Sequence, residues 1–321
     1  MNINQLWVFY NVAKHKSFTR AAETLFVSQP SISNQLKLFE DTYDLKLFER
    51  FGKKIELTSS GEILYSYAVR IFRLVEETEV VINELKATKA GRIRIGAGNT
   101  PGTYYLPEII DSFRRKHPNI EIQMDVGYDL NIIEGILNFK SDLGLIGRSV
   151  SHPNIVSIPL WKEELILLVP PNHPFARAET INISLLQDQP FIMAEKGSGV
   201  REIAEEILSG MGPAPRVIME LGENEAIKHA VASGLGITII SAMVAKRELE
   251  TGSLRAVRLS GARIMRQFSI IHHRDKYLSQ LIRAFMDEAL RFPVTESQSA
   301  PEGKAPSRIR KPTSLRSSEQ G

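Results

Sequence analysis

Apolar residues recur with different periods along the chain, and the changes of period divide it into four regions. In the first, Leu6, Phe9, Tyr10 and Ala13 recur at helical spacing and predict a helix over about Ile3–Lys14. Ser17 then precedes FTRAAETLF, where Ala21, Ala22, Leu25 and Phe26 form an apolar face. Its two alanines let another helix approach closely. After a short break at Val27, Ser28 supplies an N-cap, and Pro30 sits in the first turn, where its missing N–H costs nothing. The third helix, from Gln29 to about Asp41, turns Ile32, Leu36 and Phe39 inward. Ser31, Ser33, Asn34 and Lys37 are then the candidates for the outward face. Farther on, Phe51, Gly52 and Ile55-Glu56-Leu57 suggest a two-stranded wing with Arg50, Lys53 and Lys54 at its tip.

From about Ser59 to Lys89 the period is helical throughout. Leu64, Tyr67, Ile71, Leu74, Thr78, Val81 and Leu85 alternate at 3–4 spacing, and Ala68, Val75 and Ile82 widen the stripe. A helix of this length spans about 45 Å. A second copy of the chain is the simplest partner for its seam; packing on the rest of its own chain is the alternative.

The third region, about 91–292, alternates β-rich runs with amphipathic helices, which argues an α/β fold with parallel strands. Its runs are GRIRIGAG, IEIQMDV, the short buried DLGLIG, ELILLVP, QPFIMAE, RVIMEL, GITII and MRQFSIIHH. Crossovers near residues 160–167 and 260–267 divide it into two lobes, about 91–163 with 267–292 and about 164–266. The fourth region, 293–321, is rich in Ser, Pro, Lys and Arg and reads as a disordered tail. It is either simply solvated or a weak extra attraction to phosphates.

Composition narrows the chemistry. The 321 residues are 43% hydrophobic, enough for more than one core, and the net charge is +3. That mild basicity permits a nucleic-acid partner without demanding one. There are no cysteines, which excludes disulfides, thiolate zinc sites and cysteine nucleophiles. The N-terminus has no basic segment followed by an apolar run, and no stretch approaches the roughly 18 apolar residues of a membrane helix, so a cytoplasmic protein with no membrane partner is expected. Of seven histidines only His272 and His273 are adjacent, and neighbours on a strand face opposite ways. HExxH, GxSxG and an acidic calcium loop are absent. Gly96 and Gly98 do not begin a dinucleotide fingerprint, which fails at Pro101. The reading is therefore of a protein that is not an enzyme and has no resident cofactor or metal.

On the third helix, Ser and Asn can bond base edges or phosphates and Lys37 can pair with a phosphate. Gln29 and Pro30 lie at the N-terminal end, which enters the major groove first in helix-turn-helix proteins. From spacing alone, a generic helical bundle with a polar surface remains open.

The run SFTRAAETLFVSQPSISNQLKLFEDTYDLKLFERFGKKIELTSSG resembles the N-terminal domain of LysR-type transcriptional regulators. The matching pieces are Ser17–Ala22, Val27–Ser33, Leu47–Arg50, and Leu57-Thr58 with Gly61. The layout behind them matches the family too. The resemblance implies a winged helix-turn-helix over 1–58, a dimerisation helix over 59–90, and a two-lobed effector domain like periplasmic binding proteins over 91–292. It also implies DNA contacts from Gln29, Pro30, Ser33 and Asn34 and from wing residues Arg50 and Lys53. The partners it implies are double-stranded promoter DNA, RNA polymerase and further copies of the chain as a homodimer or homotetramer. Asn34 stands where a cation is common, and Leu38 where a polar residue is common. The stretch MAEKGSGVREIAEEIL is similar to family members that control sulfur or inorganic-carbon assimilation.

In open α/β sheets ligands bind beyond the carboxyl ends of strands. That rule points to Thr100, Pro101 and Thr103 after the first strand, Gly147 and Arg148 after the third, and Ser198 and Gly199 after the fifth, with Asn224 at the start of its helix. Hydroxyls, helix N-termini and an arginine favour a small anionic effector, a co-inducer rather than a cofactor. An ordinary Gly-Ser-Gly loop and a solvated Arg148 are the plainer readings. A periplasmic-type solute-binding protein, or a small-molecule enzyme on the same two lobes, is the rival function.

Overall fold

The computed structural model describes residues 1–51, 54–85, 91–209, 215–260 and 264–292. The predicted tail and the wing-tip residues Gly52 and Lys53 lie outside them, and so does the Arg50 side chain.

Three short helices begin the chain: α1 (Ile3–His15), α2 (Phe18–Leu25) and α3 (Gln29–Tyr43). Each starts on a side chain that accepts from the first turn: Asn2 from Asn4 N, Ser17 from Arg20 N, Ser28 from Ser31 N. Each also ends on a left-handed residue, Lys16, Phe26 and Asp44. These caps satisfy N–H and C=O groups that helix ends would otherwise leave orphaned. Leu6, Phe9, Leu36 and Phe39 fill one core with Leu47, and Val8, Val12, Ala21, Ala22 and Ile32 fill a second between the three helices. Strands β1 (Phe48–Phe51) and β2 (Lys54–Leu57) pair antiparallel as the wing, Phe48 opposite Leu57. Glu40 ties the wing to α3 by accepting the Leu47 N–H at 2.7 Å.

Helix α4 (Ser59–Leu85) leaves the wing on a Thr58 cap that accepts the Gly61 N–H at 3.0 Å. Gly61 is required: a Cβ there would overlap the Leu47 carbonyl. The predicted seam divides in two. Leu64, Ala68, Ile71 and Phe72 pack on α1, with Trp7 and Tyr10 against Phe72 at ring separations of 4.5 and 5.3 Å. Ile63, Tyr67, Leu74, Val75 and Ile82 stay exposed. Packing on its own chain therefore accounts for one face of the seam and leaves the other open to a partner.

The third region has strands β3 (Gly91–Gly98), β4 (Ile120–Gly127), β5 (Leu143–Ile146), β6 (Ile155–Val169), β7 (Thr180–Ile181), β8 (Pro190–Ala194), β9 (Arg216–Leu221), β10 (Thr238–Ser241), β11 (Arg255–Leu259) and β12 (Ile264–His273). Its helices are α5 (Asn99–Tyr104), α6 (Leu106–Lys116), α7 (Asp129–Leu137), α8 (Gly199–Ser209), α9 (Asn224–Ala232), α10 (Lys246–Thr251) and α11 (Gln280–Leu290). The sheet is mixed rather than wholly parallel. β3 pairs parallel with β4 and β5, and β8 with β9, whereas β12 pairs antiparallel with β5 and β6, and β6 with β10 and β11. β6 is longer than the apolar run ELILLVP suggests. It begins at Ile155, and its first half carries Ser157, Pro159 and Lys162, which hide the strand. The long β6–β12 pair runs through both lobes, with a bulge between Gln267 and Ser269.

Candidate DNA-reading face and interlobe cleft

On α3, burial follows the expected period. Ile32, Leu36 and Phe39 are buried, and Gln29, Pro30, Asn34 and Lys37 are exposed. Ser31 and Ser33 are half-covered by neighbours on the same helix: Gln35 donates to Ser31 at 3.4 Å and Gln29 to Ser33 at 2.9 Å. Gln29 and Ser33 are thus held as a pair at the helix's leading end. Leu38 is 58% exposed and touches nothing that explains it.

The effector domain joins α4 through buried charge. Arg73 reaches Glu76 at 2.8 Å and also pairs with Asp142. Lys276, just past β12, reaches Glu77 at 2.6 Å and Asp142 at 3.1 Å. Arg94 of β3 reaches Glu76 at 3.3 Å, and its backbone N–H donates to Asp142 at 2.8 Å. β3 and β5 therefore begin at the linker helix and end at the cleft between the lobes.

That cleft is narrow, a cavity of about 30 Å³ that opens to solvent. Thr100, Pro101, Ser198, Gly199 and Asn224 line it, as the loop-after-strand rule expects. Three helices of nine or more residues, α7, α8 and α9, start there and turn their N-termini inward. Gly197, at φ 91°, makes the turn into α8 in a conformation that favours glycine. Three expected residues are not on the cleft lining. Thr103 is exposed on the outer side of α5, because α5 starts at Asn99 and turns that position away. Arg148 is engaged with Glu202 across the lobes. Gly147 is buried behind the lining, its N–H donating to Asp129 at 3.1 Å.

Asp129 and Arg266 line the cleft and were not singled out from sequence. Arg266, on β12, is only 3% exposed, pairs with Glu163 and lies 4.6 Å over the Phe268 ring. Glu163 also accepts from the Tyr105 and Ser241 hydroxyls at 2.8 and 2.9 Å. Asp129 begins α7 and is 5% exposed. Burial pushes its carboxyl up to about 6, against the pull of Arg266, the Gly147 N–H and Arg148. Two tyrosines bridge the lobes. Tyr104 donates to Glu225 at 3.2 Å, and Tyr128 bonds Glu195, which pushes the Tyr128 hydroxyl up to about 12. The signal for Asp129 was present: it follows strand β4, as Thr100 follows β3.

Among the described residues no group of three His, Asp or Glu side chains could hold a metal, and no helix is long and apolar enough to cross a membrane.

Comparison with known proteins covers almost the whole chain. Residues 3–62 match the bacterial regulatory helix-turn-helix model of the LysR family, and residues 86–292 the LysR substrate binding domain. The HTH-type transcriptional regulator YeiE of Escherichia coli is 36% identical over 287 residues, 89% of this chain and 96% of that protein. The RuBisCO operon transcriptional regulator of Allochromatium vinosum is 34% identical over 290 residues, 90% of this chain and 96% of that protein. The regulatory domain of Synechocystis CcmR, solved in complex with 2-PG, superposes with a TM-score of 0.59 at 30% identity, covering 62% of this chain and 96% of that one.

Proposed function

This chain belongs to the LysR family of bacterial transcriptional regulators, and from that premise we propose that a small oxyanion held between its lobes tunes how paired copies grip promoter DNA. The observation that carries this reading is the cleft itself. Three helix N-termini, two hydroxyl side chains and a buried arginine converge on it, a setting that stabilises negative charge. CcmR, similar in this domain, is solved with 2-PG; that compound is accordingly the first to test.

We place DNA reading in residues 1–58, with Gln29, Pro30, Ser31, Ser33 and Asn34 toward base edges. Lys37, Arg50 and Lys53 then serve the phosphates. The exposed face of α4, with Ile63, Tyr67, Leu74 and Val75, suits a second copy, and a dimer reads two half-sites in a roughly palindromic operator. Effector contacts fall to Thr100, Pro101, Ser198, Gly199 and Asn224, together with Asp129 and Arg266. A ligand acts only if it binds one lobe arrangement better than another.

Footprinting on the DNA flanking the gene, with and without 2-PG, tests this. The footprint should change in length or bending; an unchanged one with a bound ligand sinks the coupling. Ser33→Ala and Asn34→Ala should each weaken specific binding by about 1–3 kcal/mol per lost base contact. Lys37→Ala should instead lower the salt slope by about one. If Ser33→Ala and Asn34→Ala leave operator discrimination unchanged, α3 is turned differently on the DNA.

A further inference from the structure

The cleft that attracts an anion also contains a buried carboxylate, and the two facts together narrow the ligand. Asp129 stands at the start of α7, where a carboxylate is stabilised by the helix, yet it faces a space where a second negative charge would sit. Its Oδ2 accepts the Gly147 N–H, and its Oδ1 lies against the Gly98 turn. The charges facing it come from four elements. Arg266 of β12 is nearest but is already paired with Glu163 of β6. Arg148, after β5, is engaged with Glu202 of α8, which itself adds negative charge. The buried centre thus holds one cation against two carboxylates.

A fully ionised oxyanion placed there would set like charges together in a site with little water, which is strongly unfavourable. An oxyanion that keeps one proton can donate it in a hydrogen bond to the carboxylate, and that bond is charge-assisted and strong. Its remaining oxygens then accept from the helix N-termini, from Thr100 and Ser198, and from the Arg266 Nε–H, which has no hydrogen-bond partner within the protein.

We infer that the cleft selects an oxyanion that retains a proton near neutral pH, hydrogen phosphate, over fully deprotonated ones such as sulfate, and that Asp129 makes the distinction. The inference rests on the cleft being the anion site. It adds a specificity-determining residue and a ligand chemistry to that reading. Asp129 acts as the obligatory acceptor: near neutral pH it can receive a proton but has none to give. Below about pH 6 it is itself protonated, and the discrimination fades.

The test is calorimetric titration of the full-length protein near pH 7.5 with inorganic phosphate and sulfate, and with methyl phosphate, almost fully ionised at this pH, as the probe of the anion site itself. Inorganic phosphate should bind about tenfold or more tighter than sulfate. Sulfate affinity should rise as the pH is lowered to about 5.5. Asp129→Asn, whose amide can donate, should take sulfate at least as well as phosphate, with its melting curve as the check on folding. Sulfate binding as tightly as inorganic phosphate in the unaltered protein overturns the inference, whatever the variant does, and leaves the anion site standing. So does a preference that survives Asp129→Asn. Failure of all three anions to bind overturns the inference together with the anionic-effector reading.

Discussion

Two groups of buried charge stand at opposite ends of the same strands, and they are built differently. At the linker end of β3 and β5, Arg73, Arg94 and Lys276 meet Glu76, Glu77 and Asp142, so every cation has a carboxylate. At the cleft end, Arg266 is the one buried cation among the described residues for both Glu163 and Asp129, with the half-exposed Arg148 at the rim. Balanced charge makes a joint, in which each group is fixed by its partners. The other end leaves Asp129 short of a partner, and a hydrogen-bond donor brought by a ligand would supply one, as the proposed receptor requires. The strands between them tie the receptor to the joint, and the joint to the helix that carries the DNA-reading unit.

The sharpest way to break this contrast is to unbalance the joint. Asp142→Ala takes one of two carboxylates from Arg73 and from Lys276 and removes the acceptor of the Arg94 N–H. Urea unfolding should show a loss of about 3 kcal/mol, the upper end of the cost of leaving a buried donor unsatisfied. A loss below about 1 kcal/mol would mean that water already solvates the cluster.

The opposite outcome is expected at the receptor. Asp129 is pushed up from 3.8 to about 6, so its ionised form costs stability in the folded state. That cost is present in full above about pH 6 and is relieved as the pH falls through 6 toward 3.8. Asp129→Asn should therefore stabilise the protein by about 1–3 kcal/mol at neutral pH and by much less near pH 4. Equal effects at both pH values would falsify the account of its burial. Gly98→Ala comes next: a Cβ there would overlap Asp129 Oδ1 and force the carboxylate aside. It should weaken phosphate binding about tenfold and leave operator binding without ligand unchanged, measured by gel shift. The smallest effect belongs to the rim. Arg148 and Glu202 are 26% and 47% exposed, so Arg148→Ala should change stability by only about 0.5 kcal/mol.

What could be read from the chain alone follows the range of the interactions. The helix-turn-helix is specified by neighbours: Ser17 and Ser28 cap their own helices, Pro30 fits the first turn, and Ile32, Leu36 and Phe39 share one face. The cleft loops at Thr100, Ser198 and Asn224 are visible for the same reason, as each follows a strand or begins a helix. Asp129 and Arg266 are not visible as a pair. They sit far apart in sequence, each looks like an ordinary charge on an amphipathic element, and only the insertion of β12 between β5 and β6 brings them together. The mixed sheet escaped for a similar reason. Parallel βα units announce themselves by alternation, whereas the antiparallel return of β12 is set by register with β6 and leaves no local mark.

The paired passage of β6 and β12 has a further consequence, for how such proteins can be recombined. Glu164 lies directly opposite Met265 in the ladder. The chain therefore leaves one lobe and re-enters it at adjacent points, roughly 5 Å apart as antiparallel partners are. Everything from Leu165 to Ile264 is, in effect, an insert with touching ends, the arrangement under which segments are exchanged with least disturbance. A chimera that grafts this insert from one relative onto another would keep the linker joint and Asp129 while replacing Ser198, Gly199 and Asn224. The ligand could be changed by transplantation while the DNA-reading machinery stayed as it is.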